Sequence, residues 1–114
     1  MYGIKNCDTV KKARAWLDAR GVSYAFHDYK TAGIERERLE RWCRELGWER
    51  VCNRAGTTFR NLPDADKQNL DAARAVALML QHTSVIKRPL LEVDGRPVLG
   101  FTPDAYAQLF SSRP

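Results

Sequence analysis

The sequence predicts an α/β (α+β) fold: a βαβ unit, then a helical block, then a ββα unit, around a four-stranded mixed sheet. Three observations predict it. A short strand at Tyr2-Gly3-Ile4 runs into an amphipathic helix and then into an alternating segment. The stretch 34–84 carries helical periodicity broken only by turn residues. Near the end, Asp94-Gly95 stands between two apolar runs, the signature of a hairpin with a type I′ turn.

Each element has its own warrant. From Asp8, residues Val10, Ala13 and Leu17, with Trp16 beside them, recur at helical spacing as far as Gly21, a residue suited to C′. From Val22 to Tyr29 the chain alternates, with Val22, Tyr24, Phe26 and Asp28 on one side and Ser23, Ala25, His27 and Tyr29 on the other. That predicts a second strand parallel to the first, reached by a right-handed crossover. Thr31-Ala32-Gly33 reads as a loop. A helix from about Ile34 to Leu46 places Leu39, Trp42, Cys43 and Leu46 at i, i+3, i+4 and i+7, and Gly47 stops it. Trp48 to Cys52 reads as a further helical turn. Arg54 to Leu62, with Gly56, Thr57 and Thr58, reads as irregular. Pro63 opens a short helix, and Asp71 to Gln81 forms a longer one rich in Ala and Leu. Pro89–Val93 and Arg96–Leu99 form the hairpin. Pro97 donates no ladder bond, so its strand belongs at a sheet edge. Thr102 is an N-cap with Pro103 at N1, and Ala105 to Phe110 completes the last helix. The layout is that of one thioredoxin-like domain, 1–114, with a helical insertion at about 34–84.

Composition narrows the function. The 114 residues are 44% hydrophobic and 29% charged, and no apolar run is long enough to span a membrane. No secretory leader precedes the first strand, so the expected location is the cytoplasm. Thirteen of the nineteen basic residues are Arg, and the net charge is +5. Arg36, Arg38, Arg41, Arg44, Arg50, Arg54 and Arg60 are interleaved with Glu35, Glu37, Glu40, Glu45 and Glu49, the pattern of a solvated helix face and not of a nucleic-acid surface. Anionic small molecules or acidic partners remain compatible with the charge. Cys7, Cys43 and Cys52 have no framework spacing, so no disulfide scaffold is expected.

Cys7 carries the chemistry. It falls where the first strand gives way to the first helix, at a helix N-terminus whose unpaired N–H groups and dipole favour an anion. A free thiol with pKa ~8.5 is about 3% ionised at pH 7, and thiols at helix N-termini can titrate a unit or several lower, which makes this the place where a reactive cysteine would be built. Lys87-Arg88-Pro89 enters the hairpin. In a thioredoxin-like layout that loop faces the first helix, and its Pro is expected to be cis, which puts Arg88 near Cys7. Cys43 lies on its helix's apolar stripe and reads as core. Cys52 lies two residues from Arg54 and reads as structural. His27 and His82 lie on separate elements, His27 as an exposed strand residue and His82 just past a helix end, so neither metal nor bound cofactor is expected.

Tyr-Gly-Ile-Lys-Asn-Cys-Asp-Thr-Val-Lys-Lys-Ala (2–13) and Ile-Lys-Arg-Pro-Leu (86–90) resemble the arsenate-reductase/Spx family of thioredoxin-like proteins, over nearly the whole chain and most closely its small YffB-type subgroup. The resemblance implies that Cys7 is the attacking thiol and that Arg88 and Arg54 hold an anion beside it. Lys5 and Asn6 would assist substrate binding, and Pro89 would shape the docking edge. Two departures matter. Arsenate reductases of this kind carry a further arginine before a Pro near the last helix, where this chain has Gly100-Phe101-Thr102-Pro103. Spx-type regulators of RNA polymerase use a Cys-x-x-Cys switch, where this chain has Cys7-Asp8-Thr9-Val10. The expected activity is therefore glutathione-dependent thiol–disulfide reduction by a monomer. Glutathione would be the co-substrate, an oxidised thiol the substrate and glutaredoxin a candidate partner. The alternatives are glutathione/glutaredoxin-coupled arsenate reduction and a non-enzymatic RNA polymerase-binding regulator.

Overall fold

A computed structural model describes residues 1–111 of the chain. In order, the elements are β1 (Tyr2–Gly3), α1 (Asp8–Ala19), β2 (His27–Asp28), α2 (Tyr29–Ala32), α3 (Arg36–Leu46), α4 (Trp48–Val51), α5 (Thr57–Arg60), α6 (Asp64–Lys67), α7 (Ala72–Gln81), a 3-10 turn at Thr83–Val85, β3 (Leu90–Val93), β4 (Arg96–Leu99) and α8 (Pro103–Ser111). The sheet order is β2-β1-β3-β4. The β1–β2 pair is parallel, and β1–β3 and β3–β4 are antiparallel. This is the mixed four-stranded sheet expected, with Pro97 on the edge strand β4.

The strands alternate their burial between two cores. Leu90 and Leu91 are both buried and adjacent, yet fall in different apolar clusters, as a two-residue period demands. On one face Leu90 joins Leu39 and Trp42 of α3, Val76 and Met79 of α7, and Ile86. On the other, Leu91 joins Val10, Ala13, Trp16 and Leu17 of α1 and Tyr106 of α8. The hairpin turn takes φ +52° at Asp94 and +80° at Gly95, the left-handed pair that a type I′ turn requires. Thr102 Oγ1 accepts the Ala105 N–H at 3.1 Å and caps α8.

Three expectations need correction. Only His27 and Asp28 of the segment 22–29 pair as a strand. β1 offers just two partners, and Asp28 ends the strand by accepting the Lys30 N–H at 2.9 Å, which makes Tyr29 the first residue of a helix. Within 54–62, Thr57–Arg60 is a helical turn with Phe59 buried, not irregular chain. Thr31 and Ala32, expected in a loop, belong to α2, which Gly33 ends at φ +74°; the remaining differences are shifts of a residue or two at element ends and the 3-10 turn at Thr83–Val85.

Glu92 on β3 ties the helical block to the sheet. Arg38 Nη1 donates to both carboxylate oxygens at 3.0 and 2.9 Å, Arg41 Nη2 donates at 2.6 Å and Trp42 Nε1 at 2.8 Å. Burial pushes the Glu92 pKa up, but the Trp42 and Arg38 hydrogen bonds and the Arg38 and Arg41 charges outweigh it, and the net shift is downward. A carboxyl whose folded pKa lies below its unfolded value stabilises the fold above the ordinary carboxylate range. That stabilisation is lost as pH falls through the folded value. Glu92→Gln is therefore expected to cost about 2 kcal/mol at neutral pH. Urea unfolding of both proteins should show the gap closing as the solution is acidified, and a gap independent of pH would contradict this account.

Candidate active site

The site begins at Gly3. A Cβ there would stand 2.9 Å from Val10 Cγ2, so glycine is what lets β1 lie directly against α1. The chain then turns through Lys5 and Asn6, both exposed, and enters α1 at Cys7. Cys7 is the N-cap, extended at φ −127° and ψ 125°, and its carbonyl accepts the Lys11 N–H at 2.9 Å. Its side chain caps no backbone amide and is half-buried against the α1–α8 core. The thiol thus stands at the positive end of a twelve-residue helix.

Arg88 stands at the end of the segment that leads into β3. The Arg88–Pro89 bond is cis, as the loop suggests. Arg88 Nη1 donates to the carbonyls of Ser84 at 2.8 Å and Ile86 at 3.2 Å, and its Nε is buried without a partner. The Tyr29 hydroxyl donates to the same Ile86 carbonyl at 3.1 Å. Burial raises the Tyr29 pKa, the Arg88 charge and hydrogen bond oppose that rise, and Cys7 adds to it. Cys7 and Arg88 therefore share the electrostatic surroundings of one buried hydroxyl.

The other candidates are placed as follows. Arg54 is exposed, its guanidinium 5.2 Å from the Trp48 ring centroid. With Arg50 and Lys87 it lines a cleft of about 380 Å³ that also touches Cys52, and its charge opposes the upward push of burial on the Cys52 thiol. Among the described residues Arg54 makes no hydrogen bond to Cys7. Lys5 donates its backbone N–H to Asp28 Oδ2 at 3.3 Å. Pro89 is fully buried and its carbonyl accepts the Gly100 N–H at 2.8 Å, so Pro89 presents neither side chain nor carbonyl to a ligand.

Cys43 and Cys52 are buried, as expected. His27 is half-buried, not exposed: its Nε2 lies 2.7 Å from the Gly33 carbonyl and its ring packs on Tyr2. No group of three potential metal ligands occurs among the described residues. Phe101 packs edge-on against Tyr106 with centroids 4.6 Å apart, and with Trp16, Pro103, Thr9 and Lys12 it forms an open, largely apolar hollow beside α1. Sequence reasoning missed Tyr29. An Asp N-cap signal at Asp28 with Gly33 just past the turn marks the helix that carries it.

Comparison with known proteins shows the family and the fold. The sequence profile of the ArsC family matches residues 2–109. A Haemophilus influenzae protein, itself uncharacterised, is 37% identical over 111 residues, covering 97% of each chain. The solved structure of a YffB protein superposes with a TM-score of 0.90 at 63% identity over 94% of each chain. An arsenate reductase (ArsC) related protein from Brucella melitensis gives 0.76 at 53% identity, over 96% of this chain and 91% of its own.

Thiol accessibility gives a direct check. Burial, with Cys52 alongside, pushes the Cys43 thiol up to about 11, and burial also raises Cys52. Iodoacetamide at neutral pH should label Cys7 in the folded protein and reach Cys43 and Cys52 only in urea. Peptide mass mapping would read this, and native labelling of either buried thiol would refute it.

Proposed function

The chain belongs to the ArsC family, and from that premise we propose that it is a glutathione-dependent thiol–disulfide reductase with Cys7 as its single nucleophile. One observation carries the reading: of the three thiols, only Cys7 is open to solvent, at the N-terminus of α1 and in the same electrostatic surroundings as Arg88.

The Cys7 thiolate attacks one sulfur of a substrate disulfide. A Cys7–sulfur bond forms, the substrate S–S bond breaks, and the departing thiolate takes a proton from solvent. Position 10 is Val, so α1 supplies no resolving cysteine, and Cys43 and Cys52 lie in the core. A glutathione thiolate therefore attacks the Cys7 sulfur and releases the second substrate thiol. A second glutathione frees Cys7 as its thiolate. Two glutathiones become one disulfide, and one substrate disulfide becomes two thiols.

Arg88 stabilises the thiolate, and Arg54, with Arg50 and Lys87, receives a carboxylate of glutathione. Arg54 is free to do so. Its contact with Trp48 at an exposed site is worth about 0.5–1 kcal/mol, against about 1.5–3 for a hydrogen bond to a charged group. Glutaredoxin is a second acceptor for the mixed disulfide. Three free thiols suit a reducing compartment, so we assign the protein to the cytoplasm. The arsenate-reductase and polymerase-regulator readings each lack a residue here: Gly100-Phe101-Thr102-Pro103 carries no third arginine, and Val10 stands where the second cysteine would be.

Incubation with oxidised glutathione should yield a single adduct, on Cys7, by mass spectrometry. Cys7→Ser should abolish both the adduct and glutathione-coupled disulfide reduction, and Arg88→Ala should slow the reaction by about 10- to 100-fold. An adduct on Cys52 instead, or full activity in Cys7→Ser, would sink the proposal.

A further inference from the structure

Tyr29 has no part in the scheme above, yet its hydroxyl is among the most constrained groups in the molecule. The ring is fully buried at the start of α2, in a core of aliphatic and aromatic side chains. A hydroxyl in such a place is stable only with a partner. It finds the carbonyl of Ile86, fifty-seven residues away, at 3.1 Å. A carbonyl oxygen has two lone pairs, and the second is taken by Arg88 Nη1 at 3.2 Å. The same nitrogen also donates to Ser84 at 2.8 Å. Arg88 is thus gripped at one corner of its planar fork. A long, flexible cationic side chain has been given one orientation, and its buried Nε finds no acceptor among the described residues.

Resting on the reading of Cys7 and Arg88 given above, we propose that Tyr29 is the positioning residue for Arg88. Its hydroxyl and the Ile86 carbonyl hold the guanidinium so that the remaining N–H donors serve the Cys7 thiolate and, during turnover, the anionic group of the substrate. Packing alone does not call for the hydroxyl, because a phenyl ring would fill the same space. The charged groups on the elements that meet here are Lys5 before α1, Asp8, Lys11, Lys12, Arg14 and Asp18 on α1, Asp28 at the end of β2, Lys30 on α2, and Lys87 and Arg88. Asp28 accepts the Lys5 and Lys30 backbone N–H groups. Arg88 is the cation that both interacts with Tyr29 and lacks a partner at Nε.

The test is the alkylation rate of Cys7 against pH in the wild type, Tyr29→Phe, Arg88→Ala and the double variant, with thermal unfolding followed alongside. Tyr29→Phe should raise the midpoint by about half a unit, leaving about one third of the thiolate at pH values below it. Arg88→Ala should raise it further, and the double variant should match Arg88→Ala alone. Glutathione-coupled turnover should fall in step with the thiolate fraction. If Arg88→Ala moves the midpoint and Tyr29→Phe moves only the melting temperature, the positioning role is overturned while the Arg88 reading stands. If Arg88→Ala moves nothing, both fail. Independent, additive shifts in the double variant also overturn the proposal. Arg88→Lys provides a route that leaves the core intact. It keeps the charge but loses the fork, so it should raise the midpoint as well, and an unmoved midpoint would show that orientation is irrelevant.

Discussion

The carbonyl group of Ile86 is the point on which the candidate site depends. Its residue lies in a short antiparallel strap: Asn53 N–H donates to Val85 at 2.8 Å, Lys87 N–H donates to Val51 at 2.8 Å, and Cys52 faces Ile86 across the bridge. These bonds bind the end of α4 to the segment that leads into Arg88 and Pro89. From there Leu90 pairs with Tyr2 of β1 and with Leu99 of β4. Backbone bonds of this kind contribute only about 1 kcal/mol each. Their effect is geometric: they fix where the Ile86 carbonyl stands, and with it the anchor that Arg88 and Tyr29 share.

The sheet could not do this alone. β1 and β2 are two residues long and make a minimal ladder. Apolar burial does most of the holding, at about 1.5–3 kcal/mol for each large side chain withdrawn from water. Tyr106 shows how strongly that term dominates. Its hydroxyl is buried with no partner, at a cost of about 1–3 kcal/mol. Its ring meets Trp16, Phe101 and Phe110 at centroid distances of 5.6, 4.6 and 6.3 Å, each pair contributing about 0.5–1.5 kcal/mol beyond its burial. The ring outweighs the orphaned oxygen. Glu92 acts differently: three donors from α3 converge on one carboxylate and select the orientation of the helical block against β3.

What the sequence discloses follows the range of the interactions. The amphipathic spacing of Val10, Ala13 and Leu17 locates α1, and with it the placement of Cys7, because helix periodicity is local. Asp94-Gly95 and Thr102-Pro103 announce their turn and cap for the same reason. The alternation of 22–29 is local too, and it was misleading. Val22, Tyr24 and Phe26 do share a side, packing against the α1 core, but a strand needs a partner, and β1 ends after Gly3. Tyr29, Ile86 and Glu92 could not be found this way. Each acts through a contact fifty or more residues distant, and nothing in the neighbouring residues encodes the other half.

The charge distribution around α1 bears on what the site can reduce. Arg88 is held by two carbonyls, and next to it in sequence Lys87 lines a cleft with Arg50, Arg54 and Glu49. The hollow beside α1 is largely apolar, made by Phe101, Trp16 and Pro103. A multiply charged oxyanion needs donors around it, and an apolar wall strips water from it without repayment. A disulfide is neutral before attack, and a single negative charge moves from the attacking sulfur to the leaving one. At an effective dielectric near 20, a guanidinium about 4 Å from such a charge would interact with it by about 4 kcal/mol. Under the proposed disulfide exchange, the apolar wall of Phe101, Trp16 and Pro103 would face the uncharged part of the same substrate.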